Sequence, residues 1–224
     1  RLPSLKEKNK KNLSKTLLGF LAAVGLIAFF LILQPDISTL GIIVACGVII
    51  YFISGTPIKH TLGIALGGLA ILALLVKIEP YRLERILVFL KSDIEPMGMS
   101  YQIKQALIAV GSGGIFGNGL DMGLQRFGFL PQPMSDSIFA VFSEEMGLVG
   151  GLIVILLFSI FAWRGLKIAE ETTNDFCRLA SLGITFWITI QAFINIGATV
   201  GILPLTGIPL PFMSYGGSAL AAEL

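Results

Sequence analysis

Apolar residues run in five long stretches along the chain, Leu17 to Leu33, Leu40 to Ser54, Leu62 to Val76, Ile138 to Trp163 and Leu179 to about Leu203. They read as helices that cross the hydrocarbon core of a bilayer, which takes about 20 residues, the second being somewhat short unless Ile37 and Thr39 belong to it. Polar breaks separate them: Gln34-Pro-Asp-Ile-Ser-Thr39, the Gly55-Thr-Pro-Ile-Lys-His60 turn, and the charged Arg164 to Arg178 cap. The closing Ala219-Leu-Ala-Ala-Glu-Leu224 reads as the first turns of a sixth spanning segment. Between the third and fourth runs lies a non-membrane region, roughly residues 77–137. Within it Leu83, Ile86, Leu87 and Leu90 recur at helical spacing and predict an amphipathic helix over Tyr81 to Lys91 at the membrane interface. Tyr101 to Val110 reads as a second, semi-polar helix, followed by the glycine-dense Gly111-Ser-Gly-Gly-Ile-Phe-Gly-Asn-Gly119.

Composition agrees with this pattern. Of 224 residues, 54% are hydrophobic and 13% charged, against about 25% charged in soluble domains. Mean hydropathy is +0.85. The chain therefore reads as an all-α polytopic membrane protein, with about five complete transmembrane helices and the start of another. A net charge of +2 gives no basis for nucleic-acid binding. Cys46 and Cys177 fall in or beside separate apolar stretches and read as packing residues. The basic Lys6 to Lys11 segment carries no cleavage site and reads as the tail of a cytoplasmic loop. The glycine loop lacks a preceding strand and a following Lys-Ser/Thr, so a nucleotide-binding reading fails. Basic residues at 6–15, Lys59 and 164–178 fall on one side if every run spans. By the positive-inside rule that side is cytoplasmic, which puts 77–137 and 204–217 outside.

Acids inside apolar segments need a reason, because a charge at the bilayer centre costs about 2.5–3.5 kcal/mol on insertion scales. Asp136, Glu144 and Glu145 sit at or inside the mouth of the fourth run. On a helix Glu144 lies about two turns beyond Asp136 and roughly 80° around, with Glu145 nearly opposite, so the three cannot line one wall. The residues alone admit an N-cap role for Asp136, and structural hydrogen bonding for the glutamates. Asp36 after Pro35 reads as the cap of the second run. His60 reads as interfacial, and Gln191 with Asn195, at i and i+4, as a helix bridge.

Several motifs resemble one family in order. They are Gln34-Pro-Asp36, Tyr101-Gln102, the Gly111 to Leu120 loop, Leu130-Pro131 with Asp136-Ser-Ile-Phe-Ala-Val141 and Glu144-Glu-x-Gly147, and Pro204-x-Thr-Gly-Ile-Pro-Leu-Pro-Phe-x-Ser-Tyr-Gly-Gly-Ser218. Together they resemble the SEDS family (shape, elongation, division and sporulation), and its FtsW type more than its RodA type. The resemblance implies one transmembrane domain over 1–224, matching the last six of ten helices, with a large extracellular loop at 77–137 and the N-terminal helices missing. It implies a glycosyltransferase of the bacterial plasma membrane that polymerises lipid II at the division septum, partnered by a class B penicillin-binding protein and other division proteins. Asp136 matches the family's essential aspartate, implying a general base. Substrate contacts are expected at Tyr101, Gln102, Lys104, Arg126, Ser214 and Tyr215. Support is expected from Gly113, Gly114, Gly117, Glu144, Glu145, Pro209, Gly216 and Gly217. A pyrophosphate leaving group calls for cations, with Lys104, Arg126, Arg82, Arg85 or a divalent ion (Mg2+ or Mn2+) as candidates. Ser135 and Ser137 depart from the family's usual Thr and Phe. A RodA-like elongation polymerase, a lipid-precursor flippase and a non-catalytic scaffold are the alternatives. A flippase would need a charged membrane path, and no Lys or Arg falls inside the three runs between Leu17 and Val76.

The charge map predicts that cysteines placed at 95–135 and 205–213 react with an impermeant thiol reagent applied outside, while those at 165–175 do not. The reverse labelling would overturn both the topology and an outward-facing Asp136.

Overall fold

The computed structural model describes residues 13–34, 36–78, 83, 85, 87–89, 99–123, 135–215 and 220–221. Its helices are α1 (Leu13–Leu33), α2 (Ile37–Ile53), α3 (Ile58–Ile78), α4 (Met99–Ser112), α5 (Ile138–Glu171) and α6 (Asp175–Thr199). No strand occurs among the described residues. Three of these helices, α3, α5 and α6, are long and apolar enough to cross a membrane, and α1 and α2 carry shorter apolar stretches. The fold is that of an all-α polytopic membrane protein, as the apolar runs predict.

Two compact units divide the chain, one of residues 1–75 with 166–187, the other of 76–165 with 188–224. In the first, Asp36 caps α2 as expected: Oδ1 accepts from Thr39 N at 3.0 Å and Oδ2 from Thr39 Oγ1 at 2.6 Å. Small residues let helices close on one another. A Cβ on Gly47 would come within 3.2 Å of the Phe20 ring, and one on Gly68 within 3.1 Å of Val44. Phe20 packs on Tyr51 at a ring separation of 5.1 Å. The outward residues of α1 and α3 are large and apolar, among them Leu26, Phe29, Phe30, Leu66 and Leu69. Such faces suit hydrocarbon rather than water. His60 is exposed at the start of α3, and both cysteines are free.

Helix α5 corrects the expected boundary after Trp163. Residues 164–171 continue the helix, and only Thr172 to Asn174 separate it from α6. Hydropathy ends a membrane span there, but Leu, Lys, Ala and Glu are good helix formers and carry the helix into the polar zone. Asn174 then caps α6, its Oδ1 accepting from Phe176 N at 2.9 Å. At its other end α6 stops at Thr199, short of the expected Leu203. Gly201, at φ +74, closes a Schellman motif in which Ile202 N donates to Gly197 O at 2.8 Å and Gly201 N to Ala198 O at 3.2 Å.

In the second unit α5 breaks at Gly147, where φ is 67 and ψ −166. A break frees carbonyls and N–H groups that hydrocarbon cannot satisfy. The glycine loop after α4 supplies the partners. Asn118 N donates to Glu144 O and Gly119 N to Glu145 O, both at 3.0 Å, while Leu148 N donates to Gly114 O at 2.9 Å and Val149 N to Ile115 O at 3.2 Å. Backbone lies against backbone at this crossing. A Cβ on Gly113 would overlap the Ser143 carbonyl, and one on Gly117 the Glu145 carbonyl. Gly114 also takes a positive φ, +55, but open space surrounds its missing Cβ.

These two positions should therefore separate. Gly113→Ala forces α4 away from α5 and is expected to cost about 2–3 kcal/mol, the range of core overpacking. Gly114→Asn keeps the left-handed backbone that Asn tolerates and is expected to cost below about 1 kcal/mol. Thermal unfolding of the detergent-solubilised full-length protein checks the order, and equal losses would contradict the backbone-contact account.

Candidate active site

Asp136 lies two residues before α5, in the turn 135–137. A capping aspartate would take the first free N–H groups of the helix. Here Ser137 holds the cap position: its carbonyl takes the first-turn N–H of Ala140 at 3.0 Å, besides the ordinary first helical bond from Val141 N at 3.4 Å. The Asp136 carboxylate instead receives Ser135 Oγ on Oδ1 at 3.2 Å and Gln102 Nε2 on Oδ2 at 3.4 Å. Both bonds are long, so the carboxylate is steered more than committed. The N-cap alternative for Asp136 is thereby corrected.

Its main chain is held firmly. Asn195, 2% exposed on α6, donates through Nδ2 to Asp136 O at 2.8 Å and to Ile208 O at 2.7 Å. Gln191, one turn earlier, donates to Pro209 O at 3.1 Å. Ser214 Oγ donates to Ser135 O and accepts from Leu210 N, the latter at 2.7 Å. The 204–214 loop is thus bound on both sides to the residues around Asp136. Ile208 and Leu210 are buried, and Leu210 joins Phe139, Val154, Phe158, Ile188, Ala192 and Ile196 in one core. Far from standing clear as a free loop, it is folded into the helices. At its start, Arg85 Nη1 donates to Leu205 O at 3.3 Å and Thr206 O at 3.0 Å. Arg85 is helical, as are residues 83 and 87–89. Among these Val88 is buried, whereas Leu83 and Leu87 face outward, as on an interfacial helix.

Gln102 reaches Asp136 because α4 packs on α5. Ala106 and Ala109 follow Gln102 on one face and meet Ala140 and Val141, and the same face ends at Gly113. Small side chains at this contact let the helices approach closely enough for a side chain to span them.

The sequence-predicted residues sort accordingly. Gln102 and Ser214 gather at Asp136, with Tyr101 adjacent to Gln102. Lys104 is exposed and lies about 200° around α4 from Gln102, away from the carboxylate. Tyr215 is 84% exposed. Glu144 is 2% exposed, its carboxylate close to Gly123, with Oε2 2.9 Å from where a Cβ there would stand. It belongs to the glycine-loop contact, like Glu145 through its carbonyl. Gly114, Gly117 and Pro209 sit in the contacts described above. Arg126, Arg82, Gly216 and Gly217 lie outside the described residues. Among the described residues no three His, Cys, Asp or Glu side chains converge. These residues do not by themselves form a cage for a divalent cation. Asn195 is the residue whose role the sequence reading understated. Its signal was a polar pair, Gln191 and Asn195, inside an apolar helix.

Comparison with known proteins gives a concordant result. A family model described as a cell cycle protein, covering FtsW, RodA and SpoVE, matches residues 2–224. The stage V sporulation protein E of Bacillus subtilis (strain 168) is 43% identical over 218 residues, 96% of this chain and 60% of that protein. The probable peptidoglycan glycosyltransferase FtsW of Tolumonas auensis is 38% identical over 205 residues, 90% of this chain and 53% of that protein. The chain thus spans little more than half the length of these relatives. A chain from a solved structure, described as structural coordination of polymerization and crosslinking by a peptidoglycan synthase complex, superposes with a TM-score of 0.66 at 30% identity. It covers 92% of this chain and 56% of its own.

Proposed function

The chain belongs to the FtsW, RodA and SpoVE family of cell cycle proteins, and on that premise we propose that the whole protein is a peptidoglycan glycosyltransferase that polymerises lipid II with Asp136 as general base. Relatives named as probable peptidoglycan glycosyltransferases support the reaction class. The observation that carries the assignment to Asp136 is its geometry. The main chain is fixed by the buried Asn195, while among the described residues the carboxylate makes two side-chain contacts, both long. A base needs such a combination, since it must be placed within reach of a substrate proton yet remain available to take it.

In the reaction an acceptor sugar hydroxyl attacks the anomeric carbon of a lipid-linked donor. Asp136 removes the hydroxyl proton as the new glycosidic bond forms, and the lipid pyrophosphate departs with the electrons of the broken bond. Pyrophosphate is a competent leaving group, so one carboxylate suffices. This fits a site in which Glu144 is committed elsewhere. Gln102, bonded to both Asp136 and Ser137 at 3.4 Å, orients the carboxylate from the α4 side. Cation support for the pyrophosphate is assigned to basic residues beyond these contacts, with Arg126 and Arg82 among the candidates of the sequence. The catalytic face is the outer one, and the partner is a class B penicillin-binding protein. The likeness to a chain from a synthase complex that joins polymerization to crosslinking supports that partner. Cell division is the setting favoured by the FtsW relatives. The 43% identity to a sporulation protein favours a second setting, spore-wall synthesis by the same chemistry.

Asp136→Asn keeps size and polarity and is expected to lower lipid II polymerisation by the full-length protein with its partner about 10²-fold, the scale for losing a base. Because the carboxylate caps no helix but accepts from Gln102 and Ser135, Asp136→Ala should lose the same activity at a stability cost of about 1 kcal/mol, the scale of a lost hydrogen bond. An active Asn variant would remove Asp136 from the chemistry and move the search to Glu144, Asp121, Asp93 or Glu95.

A further inference from the structure

Chain outside regular secondary structure must find partners for its carbonyls one at a time. From Leu205 to Pro209, four of the five carbonyls accept from three side chains, one on the helix turn at Arg85 and two on α6. Arg85 serves Leu205 and Thr206, Asn195 serves Ile208 and Gln191 serves Pro209. Gly207, between the two groups, has φ +70, and its missing Cβ would stand 3.8 Å from Arg85 Nη2. The guanidinium therefore lies directly against the loop at its one glycine hinge, across 120 residues of sequence.

Asn195 uses the same nitrogen, Nδ2, for Ile208 O and Asp136 O. A shift of the loop at 208 is consequently a shift in the bond that fixes the Asp136 main chain. Past this point the loop is pinned by Gln191 and Ser214. Before it, Arg85 provides the side-chain anchor seen at 205 and 206. Two adjacent carbonyls directed at one nitrogen carry concentrated negative charge, which a fixed cation with two N–H groups on that nitrogen satisfies.

We propose that Arg85 is a positioning residue for the reaction: it clamps the 205–206 limb of the loop and, through Ile208 and Asn195, holds Asp136 in register. The proposal rests on the general-base reading of Asp136, which it deepens. It also assigns Arg85 a task other than neutralising pyrophosphate. Lysine brings the charge without the planar fork, so it can hold part of the contact but not its geometry.

The test uses the full-length protein with its partner and two readouts, amide hydrogen exchange and steady-state lipid II polymerisation. In Arg85→Ala, peptides covering 205–210 should exchange about tenfold faster, as expected for local release, while peptides from α1 and α2 stay unchanged. Turnover should fall about tenfold with KM for lipid II within about twofold, because misplacement of a catalytic group slows chemistry without removing binding contacts. Arg85→Lys should recover part of both effects. Arg85→Gln, which can still donate to a carbonyl, replaces the alanine variant if that variant does not fold. Unchanged exchange at 205–210 overturns the clamp. Faster exchange with unchanged turnover overturns the positioning role, as does a rise in KM alone, which would instead place Arg85 on substrate. Asp136→Asn is measured in parallel. If that variant polymerises normally, the general-base reading fails, whereas an inactive Asn variant beside a normal Arg85→Ala overturns only the role given to Arg85.

Discussion

One amide nitrogen, Nδ2 of Asn195, bonds the main chain of Asp136 and that of Ile208 at once. Asn195 is buried within an apolar helix, where a polar group must find partners or cost several kcal/mol. The arrangement turns that cost into precision. The two carbonyls belong to segments with no regular hydrogen bonding of their own, and neither α5 nor the 204–214 loop could fix the other by apolar packing alone. Apolar contacts are non-directional, whereas a hydrogen bond between buried groups sets both distance and direction. Leu210 in the core supplies the adhesion, and Asn195, Gln191 and Ser214 supply the register.

A second constraint acts from the α4 side. The break of α5 at Gly147 would be untenable in hydrocarbon without the backbone of residues 114–119 alongside it. That contact requires glycine where backbone meets backbone, at Gly113 and Gly117. Its consequence for the site is indirect but definite. It fixes α4 on α5, and the same α4 face that closes on Ala140 carries Gln102 to Asp136. Three anchors, through Asn195, Ser214 and Gln102, thus converge on two residues, Ser135 and Asp136, and leave the carboxylate the least committed group among them.

Much of this was legible in the sequence, where single residues carry the physics. The apolar runs located the spanning helices, Pro35-Asp36 announced a cap, and Asp136 stood out as an acid at a helix mouth. Other features were hidden for identifiable reasons. The break at Gly147 lies in a run with Gly150 and Gly151, and a glycine inside an apolar run does not announce its φ. The end of the membrane span at Trp163 concealed a continuing helix, since hydropathy and helix propensity are different quantities. Prolines and glycines mark 204–217 as a loop, but not the burial of Ile208 and Leu210, which depends on helices that meet only in three dimensions. Asp136 as a non-capping residue also required coordinates, because Ser137 holds the cap position instead.

Donation by Asn195 holds the site together, and Asn195→Asp removes that donation with little change of shape. Aspartate has nearly the same shape but, when ionised, offers only acceptors to the two carbonyls. The measurement is lipid II turnover per folded molecule by the full-length protein with its partner, in the variant against the wild type. Turnover should fall at least about tenfold, as expected when a supporting contact of a catalytic group is lost. Wild-type turnover in a folded Asn195→Asp protein would contradict it, showing that Asp136 is placed by packing alone.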